Sequence, residues 1–194
     1  MRLRFRMTDH DVVHSISSVT DSMIVAQVLE TRLMRKRKYY LCFENFRGEL
    51  HYFPNHPERS RLTLDIDATS VACRDKSLRG SKQRQVKEYV RESVLDAAAH
   101  PAIQFASYQI SHKPLRGMVV EGVLTVRGTT RVLKMNAVFT PARTNGLEIE
   151  ADSIFRFSEF GVKPPSSLFK MVETSDQVLV HLHLYAIRQT EKIS

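Results

Sequence analysis

A chain of 194 residues, 42% of them apolar, has enough material for a buried core and reads as one domain, which excludes disorder as its native condition. Its formal net charge of +8 and pI near 9.7 favour anionic partners such as lipid phosphates, acidic membrane surfaces or nucleic acid, without choosing among them. No segment approaches a membrane-spanning helix in length, and the basic start lacks the apolar run of a signal peptide, so a cytoplasmic location is expected.

Residues 1–20 show no clean period beyond Val12, Val13 and Ile16. They are read as a lead-in with room for a short opening strand, and residues 21–190 as the domain itself. From Ser22 to Leu33 the chain alternates, with Met23, Val25, Leu29 and Leu33 on one face and Ile24, Ala26 and Val28 on the other, a strand apolar on both sides. Four cations, Arg35 to Lys38, then cap a hairpin end. Tyr39 to Phe43 begins a second strand that is expected to bend near Gly48 before Leu50 to Phe53. After a turn held by Pro54 and Pro57, Leu62, Leu64, Ile66 and Ala68 alternate with polar residues in a half-buried third strand. The two cysteines, Cys42 and Cys73, lie in apolar strand-like runs and are expected to be reduced.

The period changes at Gly80. Val86, Val90 and Val94 recur every four residues among lysines, arginines and glutamates, which predicts one amphipathic helix over about 81–97, before His100-Pro101. Ile103 to His112 is a fourth strand. Met118 to Val126 and Thr130 to Phe139 flank Arg127-Gly128-Thr129 as a hairpin, with Met118, Val120, Leu124, Val126, Leu133, Met135, Ala137 and Phe139 on its apolar face. In the seventh strand Leu147, Ile149, Ala151, Ser153, Phe155 and Phe157 alternate with Glu148, Glu150, Asp152 and Arg156; in the eighth, Val178, Val180, Leu182 and Leu184 alternate with His181 and His183. Eight antiparallel strands joined by short turns favour a closed up-and-down barrel with one inserted helix, because closure removes both sheet edges; a two-sheet sandwich is the alternative. The absence of tryptophan leaves room for an unfilled interior.

Several stretches in this order resemble YceI-like proteins. Val90 to Asp96, followed by His100 to Ser107, is similar to that family's helix-to-strand passage, and Glu121 to Arg131 resembles its most recognisable hairpin. Phe160-Gly161-Val162-Lys163-Pro164-Pro165 with Ser167-Leu168-Phe169 resembles the loop before the family's last strand, Arg61 to Val71 the strand leading to its helix, and Phe46 to Glu49 its bent second strand. The resemblance spans about Ser22 to Ala186. It implies a lipocalin-like antiparallel barrel that binds a polyisoprenoid or a fatty acid or amide in its interior, with no catalysis and no cofactor beyond the bound lipid. Many members are exported, whereas this chain starts like the cytosolic relatives with a longer helix.

For such a barrel the pocket candidates are Met23, Val25, Leu29, Phe43, Leu64, Ile103, Phe105, Val120, Leu124, Ile149, Phe155, Val180 and Leu182, residue types that serve equally as packed core. An anionic headgroup needs cations at the mouth, and Arg35, Arg37, Lys163 and Lys170 are the candidates. The ligand expected is thus a long-chain isoprenoid or fatty molecule, with transient membrane-surface contact and a homodimer both compatible and no stable nucleic acid expected. Two other classes stay open. The Arg35–Lys38 run beside Tyr39 and Tyr40 suits a nucleic-acid-binding barrel, in which cations grip phosphates and rings stack bases. His181 and His183 share one strand face, which suits a metal-dependent enzyme, but no third ligand is marked and no metal site is expected. Nucleophile elbows, phosphate-cradling glycine loops and Cys-His signatures are all missing.

Overall fold

Period-two apolar patterning becomes one closed antiparallel sheet in the computed structural model, which describes residues 12–32, 35–113, 117–142, 145–162 and 172–189. The strands are β1 (Val12–Ser17), β2 (Met23–Arg32), β3 (Arg35–Phe43), β4 (Phe46–Tyr52), β5 (Arg61–Asp67), β6 (Val71–Cys73), β7 (Ala102–His112), β8 (Met118–Val126), β9 (Thr129–Pro141), β10 (Gly146–Arg156) and β11 (Val172–Arg188). β1 pairs with β4 and β2 with β3 in one long hairpin that bends at 18–22 and 44–45, and a 3₁₀ turn at Ala68–Ser70 likewise divides β5 from β6. The eleven segments are therefore eight long strands in up-and-down order. β11 closes the ring by pairing with β10 along one edge and with β2 and β1 along the other, Leu182 opposite Ile24 and Ala186 opposite Ile16.

The short opening strand allowed by the sequence is present as β1, which takes part in barrel closure, and the details depart from the sequence reading in three places. The bend in the second long strand falls at Glu44-Asn45; Gly48 lies within β4, where a Cβ would stand 2.3 Å from the Thr63 carbonyl oxygen, so this glycine permits close backbone approach. The helix α1 (Gly80–Tyr89) passes into a π turn at Val90–Val94, with the Leu95 N–H donating to the Val90 carbonyl at 2.8 Å, and ends there. It stops short of Ala97 because Asp96 adopts φ 48°, which reverses the chain. Finally, Arg127 and Gly128 alone form the β8–β9 connection, both at positive φ (51° and 72°), the mirror-image turn that matches the twist of the flanking strands.

Inward side chains divide the interior by depth. At the end where β1, β4 and the start of β5 meet, Ile16, Leu50, Leu62, Ile110, Val120, Ile149 and Leu184 are fully buried against one another, with the Tyr52 and Phe139 rings 5.6 Å apart beside them. This end is a packed floor. The opposite end is covered by the π turn and by a 3₁₀ turn at Phe157–Phe160, which Gly161 terminates at φ 69°. The cysteines remain free thiols: Cys42 pairs with Ala72 and Cys73 with Leu41, which puts them on opposite faces of adjacent strands. Burial pushes both thiols above their ordinary pKa and keeps them protonated.

Candidate ligand-binding chamber

Above the floor the barrel holds a cavity of about 120 Å³ whose 23 lining residues are all apolar. Its wall comes from alternate positions of neighbouring strands: Ile24, Ala26 and Val28 of β2, Leu41 and Phe43 of β3, Leu64 and Ile66 of β5, and Ile103 and Phe105 of β7. Leu124 and Val126 of β8, Leu133 and Met135 of β9, Phe155 of β10, and Val178, Val180 and Leu182 of β11 complete the ring. Val90, Val94 and Leu95 from the π turn, with Phe157, Phe160 and Val162 from the 3₁₀ turn and its exit, form the roof. Such a site offers dispersion contacts and exclusion of water, and nothing that could transfer a proton or attack a carbonyl.

Among the described residues, few polar contacts hold the roof. Arg127, from the β8–β9 turn, donates from Nη1 to the Val94 carbonyl at 3.3 Å and faces the Asp96 carboxylate at 3.9 Å. On the other side the Arg156 N–H donates to the Glu159 side chain at 2.8 Å, and the Asp176 carboxylate of β11 receives both the N–H and the hydroxyl of Ser158. The Phe155 and Phe160 rings meet edge-on at 5.2 Å across the join between wall and roof.

Of the pocket candidates, Phe43, Leu64, Ile103, Phe105, Leu124, Phe155, Val180 and Leu182 line this chamber. Val120 and Ile149 face inward but belong to the packed floor, at 1% exposure each. Met23, Val25 and Leu29 are corrected outright. β2 turns Ile24, Ala26 and Val28 inward, so Met23 and Val25 lie on the outer wall beside Tyr40, Ile154 and Leu179, and Leu29 shares their face by strand alternation. Sequence reasoning also missed the roof. Phe157 and Phe160, three residues apart just before Gly161, carried the available signal, a one-turn helical spacing at a strand end; Val94 and Leu95 reach the chamber only through tertiary packing.

Among the cation candidates, Arg37 precedes Tyr39 on the face of β3 that carries Leu41 and Phe43. Its guanidinium lies 5.8 Å from the Tyr39 ring centroid and 3.4 Å from the Ser77 hydroxyl. Arg35 pairs with Arg32 at the start of β3, its side chain outside the described residues, as are Lys163 and Lys170. Tyr39 is half-buried against the core whereas Tyr40 is exposed on the outer wall, so the two rings do not form one stacking platform. His181 and His183 also face outward, opposite Asp152 and Glu150 of β10. Among the described residues, no helix is long and apolar enough to cross a membrane.

The YceI-like domain matches residues 14–186 of this chain. The barrel is similar to the crystal structure of BcnA from Burkholderia cenocepacia (TM-score 0.69, 18% identity, covering 87% of this chain and 98% of that one). It is also similar to a polyisoprenoid-binding domain from Saccharophagus degradans implicated in plant cell wall breakdown (TM-score 0.62, 12% identity, 91% and 99% covered). The YceI protein of Campylobacter jejuni gives a TM-score of 0.56 at 14% identity, with 78% and 85% covered. Among curated protein sequences, none matches this chain.

Proposed function

The chain belongs to the YceI-like domain family, and from that premise we propose that it binds the hydrocarbon part of a polyisoprenoid or of a fatty acid or amide inside its barrel, as a non-catalytic carrier, store or sensor. The observation that carries this reading is the chamber lining, 23 residues without one polar side chain. Each methylene moved from water into such a space contributes about 0.8 kcal/mol, so affinity comes from hydrocarbon length. The shared fold of the Saccharophagus polyisoprenoid-binding domain supports the same ligand class.

At about 120 Å³ the cavity is smaller than the roughly 300–1,000 Å³ of ordinary ligand pockets. A long chain therefore enters by moving the roof, which among the described residues rests on a handful of polar contacts, while the eight hydrogen-bonded strands stay in place. Arg37 stands beyond Tyr39 on the inward face of β3, where a cation meets an anionic headgroup left at the mouth. A reducing, cytoplasmic setting belongs to the same proposal and is in keeping with the two free thiols.

Organic extraction of natively purified protein, with mass spectrometry against an unrelated protein handled identically, tests the reading. The expected result is a co-purifying isoprenoid or fatty molecule near one per chain. A clean extract, together with failure of the purified protein to take up a fluorescent long-chain fatty acid, would overturn it.

A further inference from the structure

On the outer wall, away from the chamber, β10 and β11 bring together three metal-ligating side chains that the sequence left apart. The antiparallel register sets His183 opposite Glu150 and diagonal to Glu148. His183 Nε2 lies 3.4 Å from a Glu148 oxygen and Nδ1 lies 3.6 Å from a Glu150 oxygen; one donor atom from each of the three residues falls within 4.8 Å of the other two. Ligands sharing one zinc-sized ion, at bonds of about 2.0–2.2 Å, stand roughly 3.0–3.6 Å apart, so His183 Nε2 and its diagonal carboxylate are already spaced for an ion, and the exposed Glu150, which now meets Nδ1, becomes the third ligand by turning its carboxylate to the Nε2 side.

Among the described residues, the positions directly opposite these three on the neighbouring strands hold no cation. On β9 the residues opposite Glu148 and Glu150 are Thr140 and Val138, and on β2 the residue opposite His183 is Met23. The Tyr185 hydroxyl donates to Glu148 at 3.4 Å, and the Tyr185 ring meets the His183 imidazole edge-on at 5.0 Å, which limits the freedom of both ligands. His181 is engaged differently, its Nδ1 being 2.8 Å from Asp152. This is why a His-x-His reading from sequence finds no third ligand: the partners of His183 lie on the neighbouring strand.

We propose that Glu148, Glu150 and His183 form a binding site for one divalent transition ion of the zinc class, with water completing its coordination. One imidazole nitrogen and two carboxylates favour such an ion over magnesium or calcium, which take oxygen ligands throughout. The ion ties β10 to β11, the strand that closes the barrel, and plays no part in chemistry inside the chamber.

The full chain, treated with chelator and dialysed, is titrated with zinc chloride by calorimetry and, separately, with cobalt(II), whose visible bands report its ligands. The expected result is one ion per chain. Affinity should fall by more than the roughly 10–100-fold that loss of a ligand's supporting partner alone costs, in both His183→Ala and Glu148→Gln, with His181→Ala close to wild type. Circular dichroism identifies any variant that fails to fold, and Glu148→Gln, which keeps side-chain volume, is the decisive one. Absence of saturable binding in the wild type, unchanged affinity in folded Glu148→Gln, or an equal loss in His181→Ala would each overturn the proposal.

Discussion

Asp176 on β11 holds Ser158 with both carboxylate oxygens, Oδ1 accepting the backbone N–H at 2.9 Å and Oδ2 the hydroxyl at 2.6 Å. Ser158 belongs to the 3₁₀ turn whose Phe157 and Phe160 roof the chamber, so this pair latches roof to wall. The Ser158 hydroxyl, then its N–H, hold the Asp176 carboxyl below the ordinary carboxylate range. A depressed pKa in the folded state means that the latch stabilises fully above the unfolded value of about 3.9 and is lost as pH falls through the folded value. Asp176→Ala is therefore expected to speed release of a bound fluorescent fatty acid at neutral pH, and the difference from wild type should shrink in strong acid. Stopped-flow release over a pH series checks this, and equal rates at pH 7 would show that the roof opens elsewhere.

Gly122 sets the shape of the wall from the other side. A Cβ there would lie 2.5 Å from the Ala106 carbonyl oxygen and 2.6 Å from the Phe105 ring, so the ring packs this close to β8 only because the position is glycine. Gly122→Ala has to displace β7 or push Phe105 into the chamber, at a cost of about 1–3 kcal/mol by the usual penalty for overpacking. Urea denaturation should show that loss, and lipid uptake should fall with it. Leu124→Ala is the converse: a loss of about 2–5 kcal/mol with a larger chamber, so bulkier chains should be accepted.

If Arg35 and Arg37 meet an anionic headgroup, their double alanine variant should discriminate less between a prenyl phosphate and the matching alcohol. Competition against a fluorescent ligand measures both affinities. The hydrocarbon contacts are common to the two ligands, so the phosphate alone is expected to weaken; equal weakening of both would assign these arginines to folding or surface charge.

How far the sequence reveals the chamber depends on what each strand shows on its outer face. In β10 and β11 most outward positions are polar, Glu148, Glu150, Asp152, His181 and His183, with Ile154 and Leu179 among the apolar exceptions, so polarity largely separates inside from outside and Phe155, Val180 and Leu182 were legible. The β8–β9 hairpin was legible for the same reason, with Glu121 and Lys134 paired across its outer face. Depth along the barrel was not legible, because Val120 and Leu124 share a face and differ only in whether floor residues or the cavity lie beside them. The roof was hidden because the packing that brings Val90, Val94 and Leu95 over the strands is not local in sequence.

β2 is the strand whose two faces look alike, and it supplies the sharpest test of register. Its outer residues Met23 and Val25 sit in an apolar patch with Tyr40, Ile154 and Leu179, so the outward face is nearly as apolar as the inward one and periodicity could not rank them. The structure turns Ile24, 2% exposed, into the chamber wall. Ile24→Ala is expected to cost about 2–5 kcal/mol and to change the preferred chain length of the ligand. Val25→Thr, conserving shape on the outer wall, should stay within about 0.5 kcal/mol of wild type and leave lipid affinity unchanged. Fatty-acid titrations across chain lengths, run with denaturation curves on both variants, distinguish the two faces. A Val25→Thr protein that folds normally yet loses lipid binding would mean that the outer patch, rather than the barrel interior, holds the ligand.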